Sequence, residues 1–195
     1  MVSENAWGLS MSTLLRASLI LLAAPVVLGS CGRATRQYDV DQDVVSSVVR
    51  TMCEQKTSGY VVLSTATSTV SPAFAPTSID ESARRSLLER NEKPSVLPPV
   101  DICRSIRLID GDEINRYFEQ SNLDMHERWT AFYERFADAS GAMNISLPGY
   151  STQGDIAVVQ IGTSCGETCG GGSFWVLRRI AGRWQVDVVL PGWQS

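Results

Sequence analysis

The spacing of apolar residues along this chain switches between a helical and a strand period. Val44, Val45, Val48, Val49 and Met52 recur three and four apart, which predicts an amphipathic helix over residues 42–54. Ser58-Gly59 breaks it, and the β-branched run Tyr60 to Thr67 predicts a strand. A Ser/Pro-rich loop follows. Ser78-Ile79-Asp80-Glu81 has the form of a capping box and opens a helix through Arg90, which Pro94, Pro98 and Pro99 prevent from continuing. Ile102, Ile106 and Leu108 predict a strand across residues 100–110. Asp110-Gly111-Asp112-Glu113 reads as a second capped start, leading to Tyr117 and Phe118. Met125, Trp129, Phe132, Tyr133 and Phe136 then form the strongest helical face of the chain, and Ser140-Gly141 closes it. At that spacing an aromatic stripe predicts core rather than a ligand site.

From Met143 onward the period is two. MNISLPGY, DIAVVQIG, SFWVLRRI and RWQVDVVL are four strand-length segments with short connections, so antiparallel neighbours and a meander follow. In the last of them Trp184, Val186, Val188 and Leu190 are placed on one face, with Gln185 and Asp187 on the other. The aromatic helix needs an apolar surface and the meander offers one. The fold class is α+β: an antiparallel C-terminal four-strand meander packed on the aromatic helix, preceded by helices and strands.

The N-terminus changes the picture from fold to location. Ser12 to Cys31 reads STLLRASLILLAAPVVLGSC: a lone arginine, an apolar run too short for a spanning helix, then small residues. Leu28-Gly29-Ser30-Cys31 resembles a bacterial lipobox, and the resemblance implies a cleaved leader over 1–30 and a lipidated Cys31. Residues 31–41 then form a polar tether and 42–195 a single domain. Glu4 precedes the arginine, so a start at Met11 gives a cleaner leader than Met1. The localisation that follows is the cell envelope, exported and lipid-anchored to a membrane. With Gly32 after the cysteine rather than aspartate, that membrane is the outer one if the host has two.

Charge adds an exclusion. The formal net charge is −4, and the leader holds one acid and one base, so its removal leaves that unchanged. No basic block or stripe is present to neutralise phosphates, so nucleic acid is not an expected partner.

Besides Cys31, the cysteines are Cys53, Cys103, Cys165 and Cys169. In an exported chain they read as two disulfides with three possible connectivities. Cys165 and Cys169 lie among glycines between two strands, where a local staple, a redox dithiol and a metal site compete. A redox pair favours Cys-x-x-Cys at a helix N-terminus; here three residues separate the sulfurs, and Glu167 between them opposes a thiolate. Zinc needs a second well-spaced pair, which Cys53 and Cys103 do not form. The staple needs only that the two Cα atoms approach, and Gly166, Gly170, Gly171 and Gly172 supply a pliant backbone. Pairing Cys165 with Cys169 leaves Cys53 with Cys103.

No catalytic set assembles from the remaining residues. Asp124 and the single histidine, His126, have no nucleophile placed beside them by a recognisable elbow. The acidic run Asp110, Asp112 and Glu113 lacks EF-hand spacing and suits helix capping. The glycine loop lacks the Lys-Ser/Thr of a phosphate cradle. No metal and no cofactor is expected. The run Trp129-x-x-Phe132-Tyr133, Ser-Gly before a short strand, Cys165-Gly-x-x-Cys169-Gly-x-Gly and a closing Gly-x-Trp resembles an uncharacterised family of bacterial exported proteins over roughly the last seventy residues. The resemblance supports the fold and implies no catalytic residue. The expectation is a non-catalytic binding or interaction module that meets an envelope protein, peptidoglycan or a small molecule. Two alternatives stand beside it: an exported thiol–disulfide protein using Cys165 and Cys169, and an envelope hydrolase with an unrecognised active site.

Overall fold

The computed structural model describes residues 31–55, 59–119 and 121–195; the leader expected over 1–30 lies outside the described residues. Its elements run α1 (Cys31–Gln55), β1 (Tyr60–Ser64), α2 (Glu81–Arg90), β2 (Ile106–Ile109), α3 (Gly111–Phe118), α4 (Met125–Arg135), β3 (Ala139–Ile145), β4 (Gly149–Tyr150), β5 (Ile156–Gly166), β6 (Cys169–Ile180) and β7 (Arg183–Gln194). All seven strands join one sheet in the order β2-β1-β3-β5-β6-β7, with β4 on β5. β1 pairs in parallel with β2 and β3, and the crossovers between them carry the helices. From β3 to β7 the neighbours are antiparallel, which makes the expected meander. The class is α+β.

Helices cover both sides of this sheet. α1 lays Val44, Val45, Val48 and Val49, all fully buried, on Val61, Leu63, Met143, Ile145, Val159 and Leu177. Burying four such side chains contributes on the order of 6–12 kcal/mol before entropic costs. α1 has no acidic residue in its first turn and no basic one in its last, so this apolar face rather than dipole complementation holds it. On the opposite side α2 sets Ala83 and Leu87 against Val158, Phe174 and Val176. Beside α2, the aromatic helix α4 packs Trp129, Phe132 and Phe136 on Val62, Ile109 and Ala142, at the β3 end of the meander where β1 and β2 join it. No helix among the described residues is long and apolar enough to cross a membrane.

Several local readings shift. α1 starts at Cys31, so the polar stretch read as a tether is helical, and Asp41 at its end is buried. The cap of α2 is Asp80, whose carboxylate accepts from the Ala83 N–H at 3.0 Å; Ser78 stays outside the helix. The strand expected over 100–110 shortens to β2, because the chain turns ahead of it with Ile106 N–H bonded to Cys103 O at 3.1 Å. The buried pair there is Ile106 and Ile109, while Ile102 and Leu108 are exposed. α4 ends at Arg135, and Ser140 and Gly141 already belong to β3; Asp138, at φ 67°, turns the chain between them.

Two breaks in the sheet have clear causes. MNISLPGY is divided into β3 and β4 where Pro148 cannot donate and the buried Asn91 amide intrudes. Asn91 Oδ1 accepts from Leu147 N–H at 2.7 Å and its Nδ2 donates to Leu147 O at 2.9 Å, replacing a strand partner with a side chain. In β7 the register slips at Asp187, since Leu177 faces Val186 but Val176 faces Val188. A one-residue bulge reverses the alternation beyond it. Trp184 and Val186 therefore lie on the α1 side, whereas Leu190 packs with the α2 cluster and Val188 is exposed.

Candidate functional site

The two cysteine pairs stand at disulfide distance. Cys53, in the last turn of α1, meets Cys103 ahead of β2 with Cα atoms 6.1 Å apart, tying the valine helix to the parallel edge of the sheet. Cys165 and Cys169 close the β5–β6 hairpin with Cα atoms 5.0 Å apart. The glycines that follow are not there for pliancy. Gly170, Gly171 and Gly172 form a regular part of β6, and a Cβ on Gly172 would lie 2.4 Å from Trp193 Nε1. The missing side chain of Gly172 makes room for the Trp193 indole, and that of Gly170 for Thr163 O, 2.9 Å from where its Cβ would lie.

The hairpin tip rests on α4. The Tyr133 hydroxyl donates to Cys165 O at 2.9 Å, and burial pushes its phenol above the ordinary value. His126 Nδ1 stands 3.3 Å from Glu167 Oε1, but both side chains are at least half exposed, so this pair adds little stability. Asp124 is occupied elsewhere: it caps α4 in a reciprocal box with Glu127. Asp110 likewise caps α3, accepting from Asp112 N and Glu113 N. Among the described residues no group of His, Cys, Asp or Glu is assembled that could hold a metal ion.

Between the hairpin tip, the aromatic helices and the sheet lies a cleft of about 440 Å³. Its floor is one face of the sheet, with Ser64 ending β1, Asn144 on β3 and Ser164 on β5. Phe118 of α3 and Trp129 of α4 form one wall, their rings 4.7 Å apart. The segment after β1, including Ser68, forms the other, and Gly166, Glu167 and Cys169 stand at the mouth. A volume of this size suits a small molecule. Gly162, paired with Asn144 across the sheet, leaves room for that floor side chain, since a Cβ there would come within 2.6 Å of Asn144 Oδ1.

The lining is more apolar than polar, and its polar part is nearly free of charge. Glu167 carries its one charged side chain, and the remaining polar groups are hydroxyls and side-chain amides. Two buried polar atoms on this side of the sheet lack a hydrogen-bond partner: Ser68 Oγ in the cleft wall and Gln160 Oε1. Gln160 lies two positions along β5 from Gly162 and so shares its face. Native proteins pair nearly all such atoms, so each unpaired one calls for a reason.

The cleft is absent from the reading of the sequence alone, which placed Asn144 in a strand. A signal was present, however. Asn144 and Ser146 alternate in a strand that is otherwise apolar, and Gln160, Gly162 and Ser164 alternate in its partner. Polar residues at every second position of a strand covered on both faces mark a polar floor. Tested against protein-family models, characterised proteins and solved structures, the chain matches none.

Proposed function

We propose that this chain is an exported, lipid-anchored protein of the bacterial cell envelope, held to its membrane through Cys31, whose folded domain is a non-catalytic binding module. The leader and Leu28-Gly29-Ser30-Cys31 support the anchor, as does the resemblance of the C-terminal region to bacterial exported proteins. The observation that carries the binding reading is the cleft itself. It is concave, part aromatic and part neutral-polar, and its lining residues include no histidine, lysine or arginine. Such a lining orients a ligand but supplies neither a nucleophile–base pair nor an electrophile. Peptidoglycan, an envelope protein or a small envelope solute is the partner this reading admits, and the outer membrane is the location if the host has two.

Two measurements test it. Wild-type protein is expected in the membrane fraction with an acylated N-terminus, and Cys31→Ser is expected to lose both; soluble wild type with an unmodified N-terminus overturns the anchor. For the module, fractionated envelope extracts are titrated into labelled protein while backbone amide shifts are followed. Movement centred on Asn144, Ser164 and Trp129 is expected, and no movement with any fraction overturns the binding site.

The thiol–disulfide reading keeps one observation in its favour, the exposure of Cys169 at the cleft mouth. It requires the Cys165–Cys169 bond to open under mild dithiothreitol and to exchange with a thioredoxin-like partner; a bond that resists both removes it.

A further inference from the structure

We infer that the cleft binds a neutral sugar, either free or at the end of a glycan strand, and that Ser68 and Asn144 read its hydroxyl groups. The inference rests on the binding reading above and gives it a ligand class. Charge comes first. No arginine or lysine lines the cleft to receive an anion, and Glu167 stands half exposed at the hairpin tip with His126 beside it. A cationic ligand would give up its hydration for a water-screened carboxylate. The lining therefore selects a neutral ligand.

Hydrogen-bonding capacity narrows the class. Asn144 stands exposed on the cleft floor, and its amide can both accept and donate; Ser68 Oγ is buried in the cleft wall without a partner. A ligand hydroxyl both donates and accepts, so neighbouring hydroxyls satisfy an amide oxygen and a serine together. Ser164 on the floor extends the same chemistry, while Phe118 and Trp129 offer an aromatic wall to the C–H face of a ring. A pyranose combines hydroxyls along its rim with an apolar face, and the cleft presents those two surfaces opposite each other.

An extended peptide fits less well. Peptides gain affinity by adding a strand to an open sheet edge. The floor strands have no such edge: β1 lies between β2 and β3, β3 between β1 and β5, and β5 is paired with β6 on its other side. A peptide laid across this face would leave its own backbone groups unpaired.

The test is titration calorimetry on the full chain in a sugar-free detergent. The ligands are tri-N-acetylchitotriose, maltotriose and the blocked tripeptide acetyl-Ala-Ala-Ala-amide, with sedimentation on insoluble cell-wall glycan as a separate arm. Binding of at least one trisaccharide and not of the tripeptide is expected, with Ser68→Ala weakening it about fivefold or more. Asn144→Leu, of similar shape at an exposed position, is expected to leave the melting temperature of wild type unchanged and yet to weaken sugar binding about fivefold or more. That split separates ligand reading from a purely structural role. Sedimentation on glycan without trisaccharide binding assigns the site to the longer strand and supports the inference; trisaccharide binding without sedimentation assigns it to free sugar and supports it equally. Tripeptide binding alone overturns the sugar and keeps the binding module. Sugar affinity unchanged in both variants assigns Ser68 Oγ to buried water and overturns the inference. No binding by any probe overturns it as well, while the envelope-extract titration decides separately whether the module survives.

Discussion

Replacing Asp41 with alanine should unfold this domain far more readily than its position in a polar stretch of helix suggests. The Asp41 side chain is 6 % exposed and accepts from Arg90 through both oxygens, at 3.0 and 2.6 Å. It also accepts from the Tyr150 hydroxyl at 2.7 Å and from Gln37 Nε2 at 3.1 Å. Arg90 in turn donates to Pro148 O, so one carboxylate ties α1 to α2 and to the start of β4. Burial opposes the charge on Arg90, but the hydrogen bonds and charge of Asp41 outweigh it and hold the guanidinium above its ordinary value. Removing one partner of a buried pair costs about 3–5 kcal/mol because the other is left unpaired. The Arg90 side chain is 24 % exposed, so water relieves part of this and about 3 kcal/mol is the working figure. For a domain of this size that corresponds to a fall of roughly 6–12 °C in Tm. Urea melts followed by far-UV circular dichroism measure it, with Arg90→Met and the double variant completing a cycle. The double variant should be more stable than Asp41→Ala alone, because it leaves no stranded charge. A cost for Asp41→Ala below about 0.5 kcal/mol, or a double variant whose loss is simply the sum of the singles, refutes the reasoning.

Gly149→Ala should cost about 3 kcal/mol, since its Cβ would lie 2.3 Å from Leu87 N and 2.5 Å from Ala83 O, both backbone atoms of α2; a melt like wild type would show that α2 has slack there. Removing the Cys53–Cys103 bridge, which spans 50 residues, should cost about 4 kcal/mol, against about 2 for the Cys165–Cys169 bridge, which spans 4. Denaturant melts of the two paired Cys→Ala variants rank them, and the reverse order refutes the chain-entropy argument. Tyr150 is pushed up chiefly by burial and also by the charge and hydrogen bond of Asp41. The unfolded chain therefore loses its phenolic proton first, at about pH 10, and the contribution of Tyr150 is full below that pH and is lost progressively as pH rises above it toward the raised folded value. Tyr150→Phe should flatten the fall in stability between about pH 9 and 11, and an unchanged alkaline slope contradicts this.

What the sequence determined by itself was whatever acts over a few residues. The valines of α1, the aromatic face of α4, the cap at Asp110 and the period-two segments of the meander were all legible, because helix and strand geometry repeats every few positions and side-chain caps reach only two or three residues ahead. The pairing of Cys165 with Cys169 was legible for the same reason, as a hairpin brings near neighbours together. The tertiary structure alone decided the rest. Asp41 meets Arg90 and Tyr150 across 49 and 109 residues, and no local pattern distinguishes it from Asp39 or Asp43. Asn91 stops a strand to which it is not adjacent in sequence, and the Asp187 bulge turns Leu190 to the opposite face without altering the alternation of residue types. The cleft draws its floor from three strands and its walls from two helices and a loop, so it exists only once strand order and register are set. Hydrophobic period reports which face of an element is buried; it carries no information about which distant element buries it, and that choice depends on the packing of the whole chain at once.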